Sequence, residues 1–281
     1  MIHKNGGFNM KTKVVVCSTS GIDYIAHSED IESLPVILKF REEEKYLDYI
    51  DITAEAFYNR MRMDKACKMT PTFFNYTMVI DFVNKIKEDG YERILFILAS
   101  KSFSDLYVSI KIAMSQNNDI YYDIYESNTV CYPLAYMALE ASRLFGEQMD
   151  FDDVRKRLDD LQRVNELFFF NPKYSEASHF FKKGFKSGEI LVIENGKLTT
   201  RAKTKLDSLE ELVFHFCSQT SNVDVIPFIL YTSKNSKYIS IIQRNLEGID
   251  KKYKKIKTYP LDPAVGIQTG INSICLGYVL K

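Results

Sequence analysis

An α/β architecture with two α/β domains is the fold class this sequence predicts, and three observations predict it. Strand-like apolar runs alternate with amphipathic helical segments through the first half. The second half is richer in strands, and 281 residues are enough to build two separate cores. Residues 1–10 read as a loose leader with Met10 as an alternative start, 11–165 as an N-terminal domain and 166–281 as a C-terminal domain.

In chain order, "KVVVCSTS" reads as a buried strand that ends in hydroxyl residues. "LPVILKFREEEKYLDY" (Leu34 to Tyr49) interrupts the pattern as a short β excursion, and "DYIDITAEAFYNRMRM" runs from a strand end into a helix. "FFNYTMVIDFVNKIKEDG" has helical periodicity and "ERILFILAS" is a second buried strand. A helix near Ser104 to Asn117, the strand "IYYDIYES" and the helix "PLAYMALEASRLFG" complete a mostly parallel sheet with helices on both faces. The charged helix "DFDDVRKRLDDLQRVNEL" bridges to the second half. There "LFFF", the hairpin "EILVIENGKLTTRAK" turning at Asn195-Gly196, "VIPFILYTS", "KKIKTYPL" and "ICLGYVL" read as strands. Helices are expected at Ser208 to Ser218 and at Lys237 to Lys251. "AVGIQTGINSI" (Ala264 to Ile274) reads as a polar turn before the last strand, where Gly266 and Gly270 permit a sharp bend and close approach to the main chain.

Composition narrows the function classes. Lys+Arg and Asp+Glu both number 37, so the chain has no overall basic field with which to hold a nucleic acid. No apolar run approaches the ~18 residues of a spanning helix, and the N-terminus lacks the apolar segment of a signal peptide. The five cysteines are scattered without a C-x-x-C pair, which favours neither a disulfide framework nor a zinc site and fits a reducing cytoplasm. The four histidines have no metal-ligand spacing. The chain has no G-x-S-x-G elbow, no G-x-x-x-x-G-K-[ST] loop and no G-x-G-x-x-G, and the reading calls for no catalytic residue, metal or cofactor.

Hydroxyls gather instead at the predicted strand ends: Ser18 and Thr19, Thr70 and Thr72, then Ser100, Ser102 and Ser104. Neighbouring strands of a doubly wound sheet converge at their C-terminal ends, so these side chains suit a carboxylate or another weak acceptor. The competing reading is that they cap helices and turns. Lys101 and Asp105 lie beside them, Lys101 as a cation for an anionic head group or a solvated lysine, and Asp105 as an acid favoured by a helix start. "FFKKGFKSG" (Phe180 to Gly188) mixes Lys with Phe, as a lipid contact or as a charged loop over a core.

Taken in order, these segments resemble the DegV family of bacterial fatty-acid-binding proteins. "VVVCSTSGID" is similar to the family's opening strand and D-S-T turn, with Cys17 where Asp is usual. "YLDYIDITAEAFYNRM" matches Y-x-D-x-x-D-I-T-x-x-x-F-Y at Tyr46, Asp48, Asp51, Ile52, Thr53, Phe57 and Tyr58. "KMTPTFFNYTMVIDF" resembles the T-S-x-P segment. "ILFILASKSFSDLYVSI" resembles S-S-x-L-S-G-T-Y, retaining Ser100, Ser104 and Tyr107. "YPLDPAVGIQTGINS" resembles G-x-H-T-G-x-G, retaining Gly266, Thr269 and Gly270, with Gln268 in the histidine position.

The resemblance implies a non-catalytic lipid-binding protein holding one long-chain fatty acid in the cleft between two α/β domains. The acyl chain would lie in an apolar tunnel and the carboxylate at Ser18, Thr19, Thr70, Ser100, Ser104, Gln268 and Thr269, with Gly266 and Gly270 as the close-approach loop. It also implies presentation of the acid to a separate fatty acid kinase catalytic subunit. The departures include Lys101, Asp105 and Leu106 within the serine segment and a shortened basic stretch between Asn171 and Gly184, with Lys203 where a later arginine is usual. Two alternatives stay open: an enzyme or sensor for another small molecule in the same cleft, and a scaffold that has lost ligand binding.

Overall fold

The computed structural model describes residues 10–40, 43–64, 69–117, 119–172, 188–205, 208–234, 236–250, 253 and 256–281. All of the expected leader but Met10, most of the Phe180 to Gly188 segment and most of the Asn171 to Gly184 stretch lie outside the described residues. Three sheets organise the rest.

The first sheet has the order β2-β1-β6-β7, formed by β1 (Thr12–Cys17), β2 (Ile31–Leu34), β6 (Arg93–Leu98) and β7 (Tyr121–Glu126). All its pairings are parallel, with Val14 beside Leu95 and Leu95 beside Asp123. The edge strand β2 was not foreseen, because Ile31 and Leu34 are the only apolar residues in a four-residue element.

The β excursion is a separate sheet. β3 (Ile37–Lys39) pairs antiparallel with β4 (Lys45–Leu47) and with β5 (Thr70–Thr72). Between β4 and β5 runs α1 (Ala54–Met63), whose start is set by the Thr53 side chain accepting the Ala56 amide. α2 (Tyr76–Glu88) and α3 (Leu106–Ser115) pack on each other and add Val79, Val83, Ile86 and Ile110 to the core of the parallel sheet.

The third sheet has the order β10-β9-β8-β13-β11-β12: β8 (Asn165–Phe170), β9 (Glu189–Glu194), β10 (Lys197–Lys203), β11 (Val225–Tyr231), β12 (Lys257–Pro260) and β13 (Ile274–Leu280). Only β11 and β12 are parallel neighbours. Both of its faces are buried, which explains the uninterrupted run "LFFF". Leu167 and Phe169 join the core shared with the parallel sheet, whereas Phe168 and Phe170 face a second core with Leu212, Phe216, Ile242 and Leu246 of α6 (Glu210–Thr220) and α7 (Lys237–Ile249). Between the two large sheets lie α4 (Cys131–Gly146) and α5 (Phe151–Arg163). The bridging helix therefore ends at Arg163, four residues before Leu167, and the chain re-enters as β8.

The largest difference from expectation falls at Ala264 to Ile274. This stretch opens with α8 (Pro263–Thr269), so Gly266 lies inside a helix and only Gly270, at φ +109°, makes a bend. Asp262 as N-cap and Pro263 at the first helical position are a helix-start signal that outweighs the glycines. Gly266 is demanded by packing: the Tyr58 ring and hydroxyl occupy the space a Cβ would need. We expect Gly266→Ala to cost about 1–3 kcal/mol through overpacking. Gly248→Ala, at an exposed position in α7 with open space around it, should stabilise by about 0.5–1 kcal/mol. Urea unfolding midpoints of the two variants check both signs.

Candidate ligand site around helix α8

α8 packs against α1 and against the 3₁₀ turn Ser18–Ser20 that follows β1. Asp262 caps the helix by accepting the Val265 amide at 3.1 Å, and the Tyr58 hydroxyl donates to the Asp262 carbonyl at 3.0 Å. At the other end, Ser273 and Asn171 both donate to the Thr269 carbonyl, at 2.6 and 3.2 Å. The Asn171 amide lies where a Cβ on Gly270 would fall. The helix is thus held at both termini by side chains from distant parts of the chain.

The expected head-group residues fall into three places. Ser18 and Thr19 are buried in the turn beneath α8. The Ser18 hydroxyl accepts the Val36 amide at 3.0 Å, and Thr19 contacts the Cys17 thiol at 2.6 Å. In α8, the Thr269 hydroxyl donates back to Val265 at 3.2 Å. Gln268 is 8% exposed and its side chain makes no hydrogen bond among the described residues.

Ser100 and Ser104 follow β6, the strand beside β1, so they lie at the same sheet end as Ser18. Ser104 accepts the Leu106 amide at 3.0 Å, the turn-capping role. Ser100 lies 3.2 Å from Ser102, whose hydroxyl donates to the Gly196 carbonyl. The tip of the β9–β10 hairpin, with Asn195 at φ +50° and Gly196 at φ +73°, therefore rests on the serine turn, and the space beside Gly196 is taken by the Ser100 side chain. Thr70 is half-buried at the start of β5. Its neighbour Met69 does belong to the apolar cluster that contains Ala264, Ile267 and Ile271.

That cluster lies behind α8. Phe40, Phe57, Tyr58, Met61 and Met69 pack with Ala264 and Ile267, all of them buried. Through Ala264 and Ile267 it joins α1 and the three-stranded sheet to the helix that also touches the hydroxyl turn.

Lys101 is not a free cation. Its ammonium pairs with Glu126 at 2.6 Å and lies 4.1 Å over the Tyr107 ring, and the Glu126 hydrogen bond raises its pKa. Asp105 sits at the N-cap position of α3 without a side-chain capping bond. Among the described residues no cluster of His, Cys, Asp and Glu could hold a metal ion, and no helix is long and apolar enough to cross a membrane.

The residues of the longest motif have mainly local duties. Asp51 accepts the Leu47 amide at 2.7 Å and fixes the turn after β4, Thr53 caps α1, and Phe57 and Tyr58 fill the core. Asp48 has another role: it is buried opposite Asp262. Neither acid was expected at the site. Asp262-Pro263 carried the helix-start signal, but nothing in the linear sequence marks a pair of acids 214 residues apart as facing each other.

Comparison with known proteins supports the architecture independently. Residues 11–173 match the profile of the family described as "Uncharacterised protein, DegV family". A DegV domain-containing protein of Clostridium acetobutylicum is 24% identical over 157 residues, 55% of this chain and 53% of that relative. One from Staphylococcus aureus is 26% identical over 289 residues, covering 96% of this chain and 99% of the relative. Among solved structures, DegV of Bacillus subtilis, described as a fatty acid binding protein, superposes with a TM-score of 0.79 at 18% identity, covering 97% of this chain and 100% of that one. A protein of Eubacterium ventriosum described as stearic acid-binding superposes with a TM-score of 0.76 at 17% identity, over 96% and 98% of the two chains. At these identities the superpositions speak for the fold, and with the profile match over more than half of its length, this chain belongs to the DegV family.

Proposed function

We propose that this protein binds a long-chain fatty acid without transforming it. The observation that carries the reading is Gln268, a buried side chain with an unused amide on a helix packed over the Ser18–Thr19 turn and backed by an apolar cluster. An amide N–H donates to a carboxylate oxygen, although without the positive charge that strengthens such a bond. In this reading Ser18, Thr19, Ser100 and Gln268 receive the head group, with Thr70, Ser104 and Thr269 completing the polar lining. The acyl chain lies along Phe40, Phe57, Met61, Met69 and Ile267.

Burial of the chain supplies most of the affinity, roughly 0.8 kcal/mol per methylene, so a neutral clamp is sufficient for tight binding. The kinship with DegV proteins described as fatty acid binding supports the choice of ligand. We further propose a division into two units at residues 165/166 with the ligand between them, presentation of the bound acid to a separate fatty acid kinase catalytic subunit, and a cytoplasmic setting. The alternative of an enzyme or sensor for another small molecule in the same cleft draws less support from Lys101, whose ammonium is paired with Glu126.

Gln268→Ala should weaken stearate binding about 5- to 15-fold, the value of one hydrogen bond of about 1–1.5 kcal/mol, while leaving the preference for chain length unchanged. Titration by fluorescent-lipid displacement checks both numbers. Equal affinity of variant and wild type would remove Gln268 from the head-group role.

A further inference from the structure

Two carboxyl groups meet in the interior where α8 approaches the loop after β4. Asp48 and Asp262 are each 1% exposed, and their side chains lie within hydrogen-bonding reach of each other. Oδ1 of Asp262 is occupied in capping α8. Oδ2 of Asp262 and both carboxyl oxygens of Asp48 are buried and, among the described residues, no N–H or O–H donor bonds to them.

Among the described residues, the groups facing the pair offer no counter-charge. Ser18 and Tyr24, from the two turns after β1, face Asp48 together with Asp23. Tyr58 of α1 and the thiols of Cys17 and Cys131 face Asp262. The Ser18 hydroxyl, which accepts the Val36 amide and keeps its own proton to donate, draws Asp48 toward its charged form, as does the Tyr49 amide, although that amide already bonds to Ile52. None of these groups is a cation.

Two ionised carboxylates in this position would set acceptor against acceptor in a buried site, an arrangement that proteins avoid by retaining a proton. We infer that Asp48 and Asp262 share a proton, one carboxyl donating to the other, and that this hydrogen bond latches α8 onto the loop between β4 and α1. Parting the two elements would hydrate both acids, return them to the ordinary carboxylate range and release the proton at neutral pH. Displacement of α8 is therefore proton-linked, whatever ligand α8 binds.

The electrostatics agree. Burial pushes Asp48 up to about 6, and burial together with the Asp48 charge pushes Asp262 well above the carboxylate range. The two protons belong to the pair and leave in two steps. Since the folded values exceed the unfolded ones, the stabilisation is complete below about pH 4. It falls as pH rises through 6, and it keeps falling until the second proton leaves.

The test is urea unfolding of the full chain at pH 5, 6, 7 and 8, for wild type and for Asp48→Asn, whose amide donates permanently to Asp262. The wild-type unfolding constant should rise by up to tenfold per pH unit for each linked proton. Asp48→Asn should lose that part of the rise and have the higher urea midpoint at pH 8. Parallel profiles for the two proteins would overturn the latch. Should Asp48→Asn fail to fold, carbon-13 NMR of aspartate side-chain carboxyls in wild type decides. A carboxyl still protonated at pH 7 is expected, and titration of every aspartate below pH 5 would overturn the inference.

Discussion

Close approach between α8 and α1 is the contact from which the geometry of the candidate site follows. Tyr58 reaches across to bond the carbonyl of the α8 N-cap, and its ring takes the space that any side chain at position 266 would need. A helix of seven residues has little stability of its own, so its position is set by what grips it. Tyr58 and the Asp262 cap hold one end, and Asn171 and Ser273 hold the other. The helix that carries Gln268 is held between these anchors, in contact with the hydroxyl turn after β1 and, through Ala264 and Ile267, part of the small apolar cluster.

The wider architecture serves the same arrangement. Parallel β1 and β6 deliver two serine-bearing turns to one end of a sheet, and α4 and α5 join that sheet to the six-stranded one through a continuous core. The β9–β10 hairpin then brings Gly196 onto the serine turn after β6, so the second large sheet contributes directly to the polar region. The three-stranded sheet contributes Leu38 to the apolar cluster that holds Ala264 and Ile267. Buried acids in such surroundings carry a cost unless a proton neutralises one of them, and the Asp48–Asp262 pair lies where the small sheet, α1 and α8 converge.

Much of the fold was legible because the strands "VVVC", "ILFILA" and "ICLGYVL" are buried on both faces and bounded by turn residues, and because Asn195-Gly196 marks its hairpin by requiring positive φ. β2 was hidden by its shortness at a sheet edge. α8 was misread because glycine usually signals a bend, whereas the reason for Gly266 is the ring of Tyr58, 208 residues away in sequence. The candidate site was legible as a set of residue types and only partly as a constellation. Ser18 and Ser100 could be placed at one sheet end from strand order, and Gln268 beside them only through the family resemblance, whereas the covering of Ser100 by the hairpin and the facing of Asp48 and Asp262 are tertiary facts without a local pattern. Lys101 shows the converse: a charge that looked available is already paired with Glu126 at the end of the adjacent strand.

The most direct test of the fatty-acid reading is the content of the protein itself. Protein purified from bacteria without added lipid would be denatured, extracted into organic solvent and examined by mass spectrometry, beside a buffer blank and an unrelated protein. A long-chain fatty acid recovered at about one per chain, and absent from both controls, is the predicted result. An extract with no fatty acid above the controls, from protein that also fails to take up added stearate, would contradict it.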